Sequence, residues 1–345
     1  NIYLLYHSLS NPHRESEKDL SYISPSSISS ILAEKGVINT FRVDNPLNLA
    51  LQIYNKKCHC LVVRLFDDER DRLTDSLITK FYLEQVIKGS DAIAKALEAS
   101  CVVFAVEASF DIKKAEEKYQ SHNYNFIKIN SRKYPFGDKT QIIATFNKEA
   151  AKKRILEKLS FDDLFIDSST AYDVYKAVFC SVPVISKMVT FTGNCLNSSC
   201  MLDVRIGTPI SDVIKQIGGL VKRPSRVIVN GSFLGNALQS LDSPITKYTK
   251  FVRLNSTASI TDSQIYSCIN CGNCRSACPQ KLLPDLLFAN AQNYEQMPEF
   301  LSKTALLCTA CGVCNCACPS RLPLNQTIEV LKNILQNKEA KNEKQ

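Results

Sequence analysis

Residues 268–279 read CINCGNCRSACP, and residues 308–319 read CTACGVCNCACP. Both follow C-x2-C-x2-C-x3-C-P, and every member of the first run recurs 40 residues later in the second. Cys268 is matched by Cys308, Cys271 by Cys311, Cys274 by Cys314, Cys278 by Cys318 and Pro279 by Pro319. Nine of the chain's 15 cysteines fall between Cys268 and Cys318. A secreted disulfide scaffold is usually short and cysteine-dense throughout. A regular repeat at one end of a long chain points instead to metal ligation in a reducing compartment.

The spacing suits iron–sulfur cubes. Three thiolates two residues apart on a tight turn match three irons of one [4Fe–4S] cluster, and the fourth cysteine, carried to the following helix, reaches the other cluster. Cluster I would then use Cys268, Cys271, Cys274 and Cys318, and cluster II Cys308, Cys311, Cys314 and Cys278. Gly272 and Gly312 let each turn approach its cluster. Pro279 and Pro319 end the binding loop and suit a first helical turn. Four thiolates on an oxidised cube leave each site at a charge of about −2. The 29 residues between Cys278 and Cys308 include helical stretches, which fits a helical dicluster ferredoxin domain better than a compact βαββαβ one. Zinc is the competing ligand for paired C-x2-C motifs, but a doubled four-cysteine run with trailing proline disfavours it. Cys316 lies off the pattern and reads as a non-ligand.

Outward from the cysteines, the chain has 345 residues, 45% of them hydrophobic, which excludes wholesale disorder. No apolar run approaches the roughly 18 residues of a membrane span. The net charge of +8 is spread without a dense basic block, so no nucleic-acid partner is expected. Residues 1–26 are polar and Ser-rich. From 27 to 183, strands such as His59–Phe66 and Cys101–Glu107 alternate with helices such as Ile28–Lys35, Asp111–Gln120 and Ala171–Cys180. That pattern predicts a largely parallel α/β sheet. Leu77–Ala99 reads as a helix broken near Gly89–Ser90. Residues 184–256 read as a small α+β unit, 257–336 as the helical cluster domain, and 337–345 as a frayed charged tail. Cys58, Cys60 and Cys101 read as ordinary packing. No nucleophile–base pair is visible, so no catalytic residue is assigned.

Several segments extend the pattern. Residues 133–139 read KYPFGDK, 189–193 VTFTG and 205–210 RIGTPI. With the cysteine runs they resemble the C subunit of the Rnf electron-transport complex, the membrane-bound ion-translocating oxidoreductase between ferredoxin and NAD, over roughly residues 27–335. The resemblance implies a flavoprotein-like α/β domain (51-kDa-subunit-like), a β-grasp-like (SLBB-type) domain and the helical 2×[4Fe–4S] domain. Family members usually carry a further N-terminal domain, and the resemblance implies that it is truncated or lost here. The implied partners are the other subunits of a membrane redox complex and a ferredoxin-type donor or acceptor. The implied location is peripheral, on the cytoplasmic face of the bacterial inner membrane.

The departures from that family concern FMN and NADH. Its glycine-rich phosphate loop, G-L-G-G-A-G-F-P, aligns with Asn39-Thr40-Phe41-Arg42-Val43-Asp44-Asn45-Pro46, just beyond Gly36. Asn39, Phe41, Arg42 and Asp44 replace all four glycines. Side chains there obstruct the close backbone approach that phosphates need. The family's N-G-A-E-C-E-P stretch appears as residues 64–70, where Asp67 and Glu69 read as a solvated acidic loop. Only Thr170 persists of an N-V-G-T-like turn. The expectation is therefore an electron-transfer subunit with a degenerate nucleotide pocket, not an independent NADH oxidase. The alternatives are a soluble flavin-dependent reductase of the cobalamin-reductase type and a non-redox protein with structural clusters.

Overall fold

The structure, a computed structural model, describes residues 3–4, 19–41, 45–54, 59–119, 124–130, 134–153, 157–256 and 264–342. They form two compact units, one within residues 1–232 and 236–256, the other within 233–235 and 257–345.

The first unit holds two principal sheets. One is four-stranded and wholly parallel, in the order Tyr124–Ile129, Cys101–Glu107, Cys60–Arg64, Leu164–Asp167. Its strands are near-continuous apolar runs because both faces are covered. Leu61 and Val63 join Val86, Ile93 and Val174 on one face. Cys60 and Val62 join Ile142 and Phe146 on the other. Pro25–Glu34, Thr74–Leu97 and Ser168–Phe179 supply helices to the first face, and Lys139–Lys153 supplies one to the second. Ser24 caps the first of these by accepting from the Ser27 amide at 3.2 Å. Gly36 follows that helix at φ +68°, a left-handed turn that glycine adopts freely.

Two expectations are corrected here. Thr74–Leu97 runs through Gly89 and departs from helical geometry at Tyr82 instead. Gly89 is a contact point. A Cβ there would sit 1.9 Å from the Ala171 carbonyl oxygen, so the absent side chain lets this helix press against Ser168–Phe179. Cys60 and Cys101, read as packing, are joined in a disulfide. They are register partners on adjacent strands, with Cα atoms 4.8 Å apart. Cys58 lies outside the described residues.

The second sheet is mixed and β-grasp-like. Its order is Tyr3–Leu4, Cys200–Arg205, Ser186–Thr192, Phe251–Asn255, Arg226–Val229, Asn236–Leu238. Helix Ile210–Gln216 buries Ile210, Val213 and Ile214 in a core with Val189, Phe191, Val252 and Leu254. Phe251–Asn255 and Asn236–Leu238 escape the sequence reading. Gly193, in the VTFTG segment, has φ +122°, and a Cβ there would meet the Leu254 carbonyl oxygen at 2.0 Å.

The second unit is helical. Asn273–Ala277, Pro284–Asn290, Glu299–Leu306, Val313–Ala317 and Leu324–Asn342 are its α-helices. Leu287, Leu301, Ala305, Ile328 and Leu331 form its main core. The tail expected to fray continues the last helix to Asn342; residues 343–345 lie outside the described residues. No helix among the described residues is long and apolar enough to cross a membrane.

Candidate metal centres

The 40-residue repeat holds in the backbone as well as in the sequence. Asn270 and Ala310 have φ of 52° and 51°, Gly272 and Gly312 of 73° and 75°, and Lys281 and Arg321 of 53° and 55°. Each glycine begins a short helix, Asn273–Ala277 or Val313–Ala317, that carries its motif's third cysteine. Each fourth cysteine ends that helix, its amide donating to the Arg275 or Asn315 carbonyl at 3.3 Å. The amides of Asn270, Leu282 and Ala310 point at the sulfurs of Cys268, Cys278 and Cys308, each at 3.4 Å.

Two hollows follow from this backbone. One is lined by Cys268, Cys271, Cys274 and Cys318. The other is lined by Cys278, Cys308, Cys311 and Cys314. The fourth cysteine of each motif thus faces the hollow of the opposite motif. Cys268 and Cys271 are exposed, whereas Cys274, Cys311 and Cys314 are buried. Cys316, off the pattern, is exposed and lines neither hollow.

The donor chemistry fits a cationic cluster. Burial, followed by the charges of Cys308 and Cys311, pushes the Cys314 thiol up to about 12. Burial also raises the thiols of Cys274 and Cys308. Thiols so placed resist ionisation until a cation stands among them. Among the described residues, no group of three or more His, Cys, Asp or Glu gathers to hold one ion.

The first unit has a second candidate crevice. Strand order in the parallel sheet reverses between Cys60–Arg64 and Leu164–Asp167, and ligands of such sheets bind beyond the carboxyl ends of the strands at that reversal. Here the chain's own side chains gather at that position. Arg64 and Asp167 are both 0% exposed. The Arg64 guanidinium lies 4.4 Å from the Phe41 ring centroid, and its Nη1 donates to the Gly137 carbonyl at 2.9 Å. Phe41 packs on Phe165 with centroids 5.7 Å apart. Asp167 accepts from Lys250 Nζ at 2.5 Å and from the hydroxyls of Thr40 and Thr170 at 3.0 and 2.7 Å. Burial pushes Asp167 up, but Lys250 and then Arg64 outweigh it and hold the carboxyl well below its usual range.

Around this point the two ends of the aligned stretch pair antiparallel, Ile38 with Pro46 and Asn39 with Asn45. The Asn39 side chain accepts from the Phe41 amide at 3.0 Å and donates to the Phe165 carbonyl at 2.9 Å. Arg42 and Asp44 lie outside the described residues, as does Lys133. The acidic stretch is a further correction, for Asp67 and Glu69 are buried, not solvated. Asp67 accepts from the amides of Asp75 and Ser76 at 3.1 and 2.9 Å, satisfying donors at the start of helix Thr74–Leu97. Glu69 accepts from the Ser232 amide at 2.7 Å. Sequence reasoning missed Lys250, 1% exposed, which also reaches Asp75 at 3.1 Å; a lysine in a TKYTK run gives no local signal of burial.

A parallel α/β layer, a β-grasp-like sheet and a helical unit with two cysteine-lined hollows define the class of protein: a flavoprotein-like core extended by a ferredoxin-like module. Solved structures share the fold. A chain of an NAD+-reducing [NiFe]-hydrogenase in the air-oxidized state superposes with TM-score 0.58 over 91% of this chain and 64% of that one, at 13% identity. The H2-reduced state gives 0.55 over 92% and 62%, at 12% identity. No family model matches the chain. Among curated proteins it is similar to the C subunit of ion-translocating oxidoreductase complexes. It is 26% identical to the Rhodobacter capsulatus protein over 270 residues, 76% of this chain and 51% of that protein. It is 25% identical to the protein of Haemophilus influenzae (strain PittEE) over 292 residues, 83% of this chain and 44% of that protein. It is 24% identical to a Vibrio cholerae protein over 289 residues, 82% of this chain and 37% of that protein. The resemblance read from the motifs is borne out: the chain is a divergent relative of those proteins. It spans about half, or less, of the length of the curated relatives it matches.

Proposed function

We propose that the chain is an electron-transfer subunit of a membrane-associated, Rnf-type ion-translocating oxidoreductase complex. Cys268, Cys271, Cys274 and Cys318 hold one [4Fe–4S] cluster, and Cys308, Cys311, Cys314 and Cys278 hold the other. When bound, such cubes accept and release single electrons at low potential. The protein supplies the two thiol-lined hollows, the amide hydrogen bonds to sulfur and a short path between the sites. The observation that carries the reading is the exchange of the fourth cysteine between hollows, which fits crossed ligation and keeps two centres adjacent.

In this reading the α/β layer is a docking scaffold for other subunits, on the cytoplasmic face of the bacterial inner membrane. A ferredoxin-type protein is the donor or acceptor. FMN and NADH do not bind at the reversal point, and Arg64, Phe41 and Lys250 stand where a nucleotide would. The second sheet and the helical unit follow in the order that the Rnf resemblance implies.

The test is combined iron, sulfide and flavin analysis of anaerobically reconstituted protein, with EPR after reduction. Eight irons, no flavin and two reducible components are expected. Zinc, or a single cube, overturns the reading. Stoichiometric flavin favours the soluble reductase, and clusters that no low-potential donor reduces favour a structural role.

A further inference from the structure

The cysteines repeat at 40 residues, and the basic pair Lys281 and Arg321 repeats with them, but the other charges beside the two hollows do not. At the first hollow the lining residue Asp285 is clamped by Arg275, with Nε to Oδ1 at 2.7 Å and Nη2 to Oδ2 at 2.6 Å. That pair has no net charge. The counterparts 40 residues on are Asn325 and Asn315, both neutral, with the Asn325 amide donating to Asn315 Oδ1 at 2.7 Å. At the second hollow a cation arrives from elsewhere. Lys332 Nζ donates to the carbonyl oxygen of Cys308 at 2.7 Å. Lys332 is half-buried on helix Leu324–Asn342, one turn beyond the hollow-lining Ile328. Among the described residues no carboxylate pairs with it, and Glu329, one turn earlier on the helix, is exposed. Its counterpart 40 residues earlier is Gln292, which is uncharged.

Resting on the two-cluster reading, we propose that Lys332 is an electrostatic positioning residue that raises the reduction potential of the cluster held by Cys308, Cys311, Cys314 and Cys278. It gives that cluster a charge contribution the other lacks. One electron from a low-potential reductant takes each oxidised core from 2+ to 1+, adding negative charge to a site that is already anionic. An ammonium held against a ligand's own carbonyl favours the reduced form. The Arg275–Asp285 clamp offers no such bias, because its two charges largely cancel at the first cluster.

The experiment is an EPR-monitored redox titration of the full chain, reconstituted anaerobically, as wild type, Lys332→Met and Lys332→Arg. The component lost in Cys308→Ser identifies the second cluster. With Met, the reduced-to-oxidised ratio of that cluster at fixed potential should fall on the order of tenfold, a 59 mV lowering for one electron. The first cluster should not move, and Arg should stay near wild type. If Met costs the cluster itself, Lys332→Gln is titrated in its place. Full iron content with an unmoved second cluster, or equal shifts in both, overturns the inference alone. A wild type without two cubes removes the two-cluster reading, and this inference with it.

Discussion

Arg64 and Asp167 are register partners on neighbouring parallel strands, and both are fully buried at the point where strand order reverses. In a nucleotide-binding sheet that point is a crevice. Here Phe41 covers the guanidinium, and Lys250 and two threonines satisfy the carboxylate.

Flavin titration should therefore give no saturable quenching of FMN fluorescence, and NADH should behave likewise. Phe41→Ala should not restore binding, because Arg64 and Lys250 remain. It should cost about 3–5 kcal/mol of stability, the usual range for a buried Phe, read by urea denaturation. Tight stoichiometric binding of FMN to the wild type would refute the filled crevice.

Lys250→Met should destabilise by about 3 kcal/mol, since it removes the ammonium shared by two buried carboxylates. The wild-type pair has opposed pH signatures. Asp167, with its folded-state carboxyl depressed, contributes stability above the unfolded value of 3.8 and loses it as pH falls through the lower folded value. Asp75 is raised to about 6, chiefly by burial, so its contribution is present below 3.8 and is lost as pH rises through 6. Without the ammonium both carboxyls favour protonation in the fold. The variant's deficit should then narrow between pH 8 and pH 5; urea midpoints across that range give the check, and a constant deficit would count against the ion network.

Gly89→Ala inverts the helix-propensity rule. Alanine ordinarily gains about 1 kcal/mol over glycine within a helix. Here the new methyl would stand 1.9 Å from the Ala171 carbonyl oxygen, so a loss of about 1–3 kcal/mol or more is expected from overpacking. A thermal melt that rises on substitution would show that the two helices separate freely.

Crossed ligation has a spectroscopic signature. Cys278→Ser should alter the same EPR component as Cys308→Ser, and Cys318→Ser the same one as Cys268→Ser. If Cys278→Ser instead matches Cys268→Ser, each motif serves its own cluster.

The cysteine hollows were legible because their information is local: spacing, two glycines and two prolines set the same backbone twice. The strands Cys60–Arg64 and Cys101–Glu107 were legible because parallel strands covered on both faces read as unbroken apolar runs. Leu164–Asp167 was not, since four residues after a pair of aspartates carry no period. Phe251–Asn255 exists through pairing with two distant strands. Asp67, Glu69 and Lys250 resemble surface residues in sequence. The partners of Glu69 and Lys250 lie 163 and 175 residues away, beyond the reach of any local window, while Asp67 closes on the start of the next helix 8 residues on. The disulfide escaped for the same reason, joining cysteines 41 residues apart that only strand register brings together.

The exchange of Cys278 and Cys318 between hollows bears on biogenesis. On the proposed crossed ligation, a chain that received only one cube would borrow a thiol from the empty half and leave its own fourth thiol there without a metal partner. That unligated thiol would be open to oxidation. Maturation under crossed ligation therefore favours chains that are either empty or complete, and a shortage of iron lowers the number of finished molecules more than the filling of each.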